Sequence, residues 1–174
     1  VQRLAVKGRG PMTGYSRAQF GGRWPDVDRN GCDTRNDILR RDLVSVGTRP
    51  GTHDCVIVSG RLADPYTAKT ITFTKAQATK VQIDHVVPLS YAWQLGAARW
   101  SAETRKDFAN DPINLLAVDG PTNESKGDSG PASWLPPNKA VRCSYAVRFA
   151  QVARKYRLPV TAADRSMMSA QCGG

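Results

Sequence analysis

The chain has 174 residues, which fits one domain with its own hydrophobic core. Apolar residues make up 40% of it, and no apolar run approaches the roughly 18 residues of a membrane helix, so we expect no membrane span and no membrane partner. The 25 Lys and Arg outnumber the 15 Asp and Glu, which gives a net charge of +10 and a pI near 9.8. This charge favours a polyanionic partner such as nucleic acid, and the alternative is a basic protein kept soluble by its charge.

Four cysteines stand far apart in the sequence. They are Cys32, Cys55, Cys143 and Cys172, and none forms a C-x-x-C pair, which argues against a zinc knuckle. An even count at long spacings favours two disulfides in an oxidising compartment. We prefer the two local pairings, Cys32–Cys55 and Cys143–Cys172, although the sequence does not choose among the three that are possible. The first residue is Val1 and not Met, so a removed signal peptide and secretion are one expectation, and a trimmed chain is the other.

In chain order, the first predicted elements are a basic N-terminal arm and a short helix. Residues 1–25 are rich in Gly, Arg and Pro and show little periodicity, so we expect them to drape over the domain. Asp33 or Thr34 is placed to cap a helix with apolar positions at Ile38 and Leu39.

Strands and a helix follow in the middle of the chain. CVIVSG and TITFT predict a small β-hairpin that turns around Asp64 and Pro65. TKAQATKV is ambiguous, whereas VQIDHVVPL alternates in its first part and predicts a strand. SYAWQLGAARW then predicts a helix that begins at Ser90.

The remaining elements are one strand and three helices. PINLLAVD predicts a strand that ends in a turn at 119–121, and Thr122 is expected to cap a short helix through NESKGD. The longest helical pattern runs over 139–156. Thr161 with Asp164 has the spacing of a capping box for a last helix that ends near Cys172.

Polar residues lie at the ends of the two predicted strands and on the short helix that follows them. IDHVVPL carries Asp84 and His85, NLL begins with Asn114, and NESK places Asn123 and Lys126 on one helix face. In this order and spacing the sequence resembles the HNH endonuclease superfamily, also called ββα-metal nucleases. The stretch NDPINLLAVDGPTNESKGD, with the later WLP, resembles a branch of secreted bacterial HNH nucleases related to the nuclease domain of GmrSD-type restriction enzymes. The resemblance covers roughly residues 26–172.

The resemblance implies an α+β fold in which a ββα-metal core carries added helices and the small β-hairpin, stapled by two disulfides. We expect a single nuclease domain over 1–174. Its parts are the arm (1–25), a helix plus hairpin (26–80), the HNH core (81–128) and the C-terminal helices (129–174).

The site residues suit phosphodiester hydrolysis. His85 is the candidate general base, because an imidazole with a pKa of about 6.5 accepts a proton from water near neutral pH. Asp84 and Asn123 offer an anionic and a neutral oxygen to one Mg²⁺ or Mn²⁺. The chain has only 2 histidines, which excludes a poly-His zinc centre. By resemblance, Asn114 orients His85 or ties the connecting loop, and Lys126 contacts a phosphate oxygen.

A second acidic motif, DVDRNGCDTRND, resembles the EF-hand loop. Its oxygen donors for a structural Ca²⁺ are Asp26, Asp28, Asn30 and Asp37. The last position of the loop is Asp37 and not the usual Glu, so an acidic turn followed by a helix cap is an alternative. Pairing of Asp28 or Asp33 with nearby arginines is another.

The scattered basic residues favour contact with the nucleic-acid backbone over reading of bases. Arg35 and Arg105 are the candidate phosphate contacts. The sequence therefore predicts a secreted, monomeric, metal-dependent endonuclease that cleaves DNA, with RNA as a further candidate substrate, without strong sequence specificity. The alternative is a non-catalytic nucleic-acid or cell-surface binding domain with an HNH-like fold, although binding alone needs no general base.

Overall fold

The computed structural model describes residues 1–173, which form five strands and six α-helices joined by short 3-10 helices. The helices are α1 (Thr34–Asp42), α2 (Leu89–Leu95), α3 (Ala102–Asn110), α4 (Gly120–Lys126), α5 (Arg142–Lys155) and α6 (Ala162–Ala170). The strands are β1 (Leu43–Thr48), β2 (Ile57–Ala63), β3 (Thr70–Thr74), β4 (Val81–His85) and β5 (Leu115–Asp119). The predicted α+β class is confirmed, and Gly174, the end of the predicted C-terminal part, lies outside the described residues.

The first sheet has three antiparallel strands in the order β1-β2-β3. The predicted hairpin is its β2–β3 part, and Asp64 N donates to Lys69 O across the turn. Sequence analysis missed β1, which lies at the edge of the sheet and pairs with β2 in an irregular register. Val44 is exposed and Ser45 has a positive φ of 53°, so β1 shows neither the alternation nor the regular backbone that identify a strand.

β4 and β5 form a second antiparallel sheet, and α4 follows β5 directly, which gives a ββα arrangement. The register pairs His85 at the end of β4 with Leu115 at the start of β5. The cap of α4 is Asp119, whose carboxylate accepts from Thr122 N at 3.0 Å, so the prediction that Thr122 is the cap was wrong. Gly120 is required at the start of α4, because a Cβ there would collide with the backbone of the 3-10 helix ahead of β4.

Two other helices also differ from the predictions. α2 begins at Leu89, one residue before the predicted start, and has no side-chain cap. α3 was not predicted, because it is mostly polar and buries little besides Phe108 and its neighbours near the C-terminal end. The capping box of α6 is confirmed, since Thr161 Oγ1 accepts from Asp164 N at 3.1 Å.

Two hydrophobic cores hold these elements together. The first lies among α2, α3, α5 and α6 and contains the fully buried rings of Tyr91, Phe108 and Phe149. The second joins α1 to both sheets through residues such as Leu39 and Phe73. β4 contributes Val81 and Ile83 to the second core, and Val86 and Val87, which follow it directly, belong to the first, so the end of β4 is fixed from two sides.

Both disulfides are the preferred local ones and are confirmed. Cys32 pairs with Cys55, 23 residues away, and Cys143 pairs with Cys172, 29 residues away. The first ties the loop before α1 to the segment before β2, and the second fastens the end of α6 to α5. No helix within residues 1–173 is long and apolar enough to cross a membrane.

The N-terminal arm lies along the helices. Val6 forms a parallel bridge with Val160, and Gly10 N donates to Gln94 O at 2.8 Å. A short 3-10 helix over Arg17–Phe20 inserts the Phe20 ring into the first core. The arm is therefore built into the domain by backbone pairing and by burial of an aromatic ring.

Candidate active site

A cavity of about 260 Å³ lies at the C-terminal end of β4, beside α4. Three predicted site residues, Asp84, His85 and Asn123, line it together. The arm contributes Tyr15 and Arg17 to the same wall. A larger cavity, about 670 Å³, lies between the first residues and α5, but its lining in the described chain includes no His, Asp or Glu. Of these two cavities, only the smaller one is therefore lined by a histidine and a carboxylate.

The ring of His85 is half-buried and held by two contacts. Its Nε2 lies 2.8 Å from Ala109 O. Since a carbonyl oxygen only accepts, Nε2 carries the proton of the neutral ring, and Nδ1 keeps a lone pair with no hydrogen-bond partner in the described residues. Trp24 stacks on the imidazole with ring centroids 5.5 Å apart and ring planes 9° apart. These two contacts fix the orientation of the ring and leave Nδ1 as its unprotonated nitrogen.

The environment of His85 favours its neutral form. Burial lowers the pKa of His85 from 6.5 to about 3. The hydrogen bond to Ala109 O raises this pKa, whereas the positive charges of Arg17 and Lys126 lower it. The imidazole is therefore uncharged near neutral pH, which is the state that accepts a proton.

The carboxylate of Asp84 is held inside the domain and is only 5% exposed. Lys126 Nζ lies 2.8 Å from its Oδ1 and 2.7 Å from its Oδ2. The hydroxyl of Tyr66 donates to Oδ2. Oδ1 accepts from Lys126 alone among residues 1–173, so this oxygen keeps one lone pair for a ligand in the cavity.

Lys126 ends α4 and is buried, with 1% of its surface exposed. Besides Asp84, its ammonium donates to His85 O at 2.8 Å and to Val86 O at 3.1 Å. These partners use all the protons of the ammonium. This placement corrects the prediction that Lys126 contacts a substrate phosphate. The ammonium group instead binds Asp84 and two backbone carbonyls, and so joins α4 to the end of β4.

The two asparagines have different positions. Asn123 Nδ2 donates to Gln82 Oε1 at 2.9 Å, and its Oδ1 has no hydrogen-bond partner within residues 1–173. Asn114 is fully buried; its Oδ1 accepts from Val87 N at 2.8 Å, and its Nδ2 donates to Val87 O at 3.3 Å. Of the two roles predicted for Asn114, the structure shows the tie to the loop after β4, with no hydrogen bond to the ring of His85 in the described chain.

The oxygen donors fit a hard divalent cation. Asp84 Oδ1 and Asn123 Oδ1 each have a free lone pair, and both side chains line one cavity. Mg²⁺ and Mn²⁺ favour such a mixture of carboxylate and amide oxygens and keep several waters. No group of three or more His, Cys, Asp or Glu side chains in residues 1–173 forms a metal site. Water and substrate would therefore complete the coordination.

Comparison with known proteins identifies the family. The model of the GmrSD restriction endonucleases, C-terminal domain, matches residues 33–171. The chain belongs to this GmrSD C-terminal domain family. It is also 41% identical over 168 residues to a protein of Arthroderma benhamiae named an uncharacterized secreted protein, covering 95% of this chain and 78% of that one. No solved structure matches.

Membership of the GmrSD C-terminal domain family gives the chain a nuclease-related function. The matched segment contains Asp84, His85 and Asn123. It begins at residue 33, so the part of the arm that lines the cavity lies outside it.

The two arginines predicted to contact phosphate lie elsewhere. Arg105 Nε donates to Gln19 O at 2.7 Å, and its Nη1 donates to Trp100 O at 2.6 Å. Arg105 therefore fastens the arm to α3. Arg35 is half-buried on α1, and neither arginine belongs to the cavity lining described here.

The EF-hand-like segment forms a closed, hydrogen-bonded loop. Asn30 Nδ2 donates to Asp28 at 3.2 Å and to Asp37 at 3.0 Å, and Asp26 accepts from Asn30 N at 3.1 Å. Burial raises the pKa of Asp37, and the neighbouring acids add to this effect. Asp33 caps α1, and neither it nor Asp28 forms an ion pair within residues 1–173.

Ca²⁺ binding by this loop stays a prediction. Its four predicted ligands lie close together, but their carboxylates do not form a metal site within the described residues. Calorimetry with Ca²⁺ on metal-stripped protein tests it, and no binding at millimolar Ca²⁺ would end the idea.

Four residues of the site were missed by the sequence analysis: Tyr15, Arg17, Trp24 and Tyr66. Three lie in the arm, where a Gly-rich sequence without periodicity hides which side chains face inward. The signal in the arm is its aromatic and basic residues, which are interleaved as in nucleic-acid-binding segments. Tyr66 follows the Asp64-Pro65 turn and gave no separate signal.

Proposed function

We propose that this chain is a metal-dependent endonuclease that hydrolyses phosphodiester bonds of DNA, with RNA as a further candidate substrate, without strong sequence specificity. One observation supports it above the others: a neutral His85 with a free Nδ1 lines the same cavity as Asp84 and Asn123. Membership of a restriction endonuclease domain family supports the same reaction class.

In the proposed mechanism, His85 acts as general base. Nδ1 accepts a proton from the water that attacks phosphorus, while Nε2 keeps its proton on Ala109 O. The stacked ring of Trp24 prevents the imidazole from turning away. A base positioned in this way contributes about 10²- to 10⁴-fold to the rate.

Asp84 and Asn123 are the residues that would hold Mg²⁺ or Mn²⁺. When bound, such a cation polarises the phosphoryl oxygen and stabilises the leaving oxygen. Lys126 and Tyr66 fix the Asp84 carboxylate by hydrogen bonds, so it is positioned before any ligand enters. Asn123 is positioned in the same way by Gln82.

The setting we propose is extracellular, with a monomer acting on nucleic acid. Two disulfides are typical of an oxidising compartment, and the relative from Arthroderma benhamiae is named a secreted protein. A net charge of +10 draws the chain to a phosphate backbone of any sequence.

Plasmid digestion tests this function. Supercoiled DNA is incubated with the purified chain in Mg²⁺ or Mn²⁺, with and without EDTA. We expect nicking that EDTA abolishes, and a loss of about 100-fold or more in His85→Ala. His53→Ala is the matched control, because His53 is the other histidine of the chain and lies exposed, away from the cavity.

Two results would contradict the proposal. Full activity in His85→Ala would remove the base. DNA binding by the wild-type chain without cleavage in either metal would instead support the non-catalytic binding domain.

A further inference from the structure

We propose that Arg17 is a catalytic residue of this cavity, and that its guanidinium binds a nonbridging oxygen of the scissile phosphate. The inference rests on the proposed nuclease function. The family model matches residues 33–171, and Arg17 lies in the segment before them. It also supplies the cation that Lys126, buried against Asp84, does not present to substrate.

Arg17 is the only positively charged side chain that lines the cavity in the described part of the chain. The other lining residues are Tyr15, Ile83, Asp84, His85, Pro88, Leu89, Asn123, Gly127 and Asp128. A phosphodiester is anionic and gains charge on its nonbridging oxygens as water attacks. A cation at the base's side of the cavity therefore stabilises the transition state more than the ground state.

The hydrogen bonds of Arg17 leave it available for a ligand. Nη1 donates to Gly21 O at a long 3.3 Å, whereas Nη2 is buried and has no partner within residues 1–173. The ion pairs of these residues do not include Arg17 either. A buried donor without a partner is unfavourable, so binding of a phosphate oxygen would relieve an existing penalty.

Nη2 has almost no surface in the free chain, so the guanidinium must rotate towards the cavity when phosphate enters. This rotation breaks one hydrogen bond, the long one to Gly21 O. The planar fork of arginine matches two phosphate oxygens, which favours the turned position once phosphate is present.

The backbone that carries Arg17 is anchored on both sides. Arg17 begins the 3-10 helix whose last residue, Phe20, is buried against Phe108 of α3. Arg105 donates to Gln19 O in the same turn. The guanidinium also lies 6.0 Å from the ring centroid of Trp24, the residue stacked on His85. The cation and the base thus share one rigid wall.

The test compares Arg17→Ala and Arg17→Lys with Arg23→Ala, which removes the same charge from an exposed position on the arm. Hydrolysis of plasmid DNA and of bis(p-nitrophenyl) phosphate is measured, and binding of a DNA oligonucleotide is measured in EDTA. We expect Arg17→Ala to lose about 100-fold or more in kcat on both substrates. Arg23→Ala should stay within about threefold.

The small substrate lacks flanking phosphates, so a loss on it locates Arg17 at the reacting phosphate. Added guanidinium ion should restore part of the activity of Arg17→Ala, which a purely structural role of the side chain would not allow. Arg17→Lys keeps the charge with a single donor group and should lose less than Arg17→Ala; it decides the matter if the alanine variant does not fold.

Three results would overturn the assignment. An active wild type with Arg17→Ala within threefold of it would refute Arg17 alone and leave the nuclease proposal standing. A weaker oligonucleotide Kd with unchanged kcat would make Arg17 a substrate anchor and not a catalytic residue. A wild-type chain inactive on every nucleic acid with Mg²⁺ and Mn²⁺ would refute the proposed function and this inference with it.

Discussion

The protonation of His85 is the residue-level property on which the proposed chemistry depends. An exposed histidine is partly charged near neutral pH, whereas burial keeps His85 neutral. The hydrogen bond to Ala109 O and the stacked Trp24 then select which nitrogen faces the cavity. Histidine usually changes its charge near neutral pH, whereas His85 stays in its neutral form there.

This shift predicts an unusual pH profile. Because His85, the proposed base, has a pKa of about 3, below its ordinary value of 6.5, kcat/KM should not decline as the pH falls through 6.5. Its acid limb should appear well below that pH. Steady-state cleavage of an oligonucleotide between acid and neutral pH measures this, and an acid limb at or above pH 6.5 would contradict the neutral imidazole.

The lowered pKa of His85 also reduces the stability of the folded chain at acid pH. Below pH 6.5 the unfolded chain protonates this histidine, whereas folded His85 stays neutral down to about pH 3. The contribution of His85 to stability is therefore fully present above pH 6.5 and is lost as the pH falls from 6.5 towards 3.

Between elements, the Asp84–Lys126 pair joins β4 to α4. The pair is buried, and Tyr66 adds a third partner from the segment after β2. A buried pair of this kind contributes little net stability by itself, but removal of one partner leaves an uncompensated charge. Its value here lies in fixing the distance between the strand end and the helix.

Replacement of Lys126 should therefore be costly. Lys126→Met leaves the Asp84 carboxylate buried without a counter-charge and should lower the free energy of unfolding by about 3–5 kcal/mol. The double variant Asp84→Asn/Lys126→Met should regain much of this loss, because the buried charge is gone. Urea denaturation measures both, and a Lys126→Met variant within 1 kcal/mol of wild type would show that the pair is not effectively buried.

At the scale of elements, sequence patterns predicted those strands and helices whose burial is regular. β4 alternates apolar and polar residues and β5 is mostly apolar, so both the strands and the meeting of Asp84, His85 and Asn123 could be predicted. β1 and α3 could not, since an irregular edge strand and a mostly polar helix carry no periodic signal. The role of Lys126 was misplaced because spacing puts a residue on a face and does not show its partner across the interface.

At the scale of the whole molecule, the two disulfides and the N-terminal arm stabilise the elements around the two hydrophobic cores. Cys32–Cys55 braces the region of the second core, and Cys143–Cys172 braces α5 and α6 of the first. Since both closures are local, the sequence could suggest the pairing. The route of the arm could not be predicted, because its contacts with Gln94, Val160 and His85 are all distant in sequence.

Reduction of the disulfides should lower the melting temperature substantially. Loop closures of 23 and 29 residues each restrict the unfolded chain by about 3 kcal/mol in the chain-entropy picture. Calorimetry with and without dithiothreitol measures the shift, with iodoacetamide trapping to confirm that the bonds are reduced. An unchanged midpoint in fully reduced protein would show that neither bond contributes to stability.

The position of the arm also sets where this domain can be cut. Family similarity begins at residue 33, but Phe20 fills part of the first core and Trp24 covers the imidazole. A recombinant fragment that starts at residue 33 would lack Phe20 and would expose the rings of Trp93 and Phe108 as an apolar, aggregation-prone surface. It would also lack the arm residues that line the cavity. Expression trials guided by homology alone would thus yield an aggregation-prone fragment that lacks part of the candidate site.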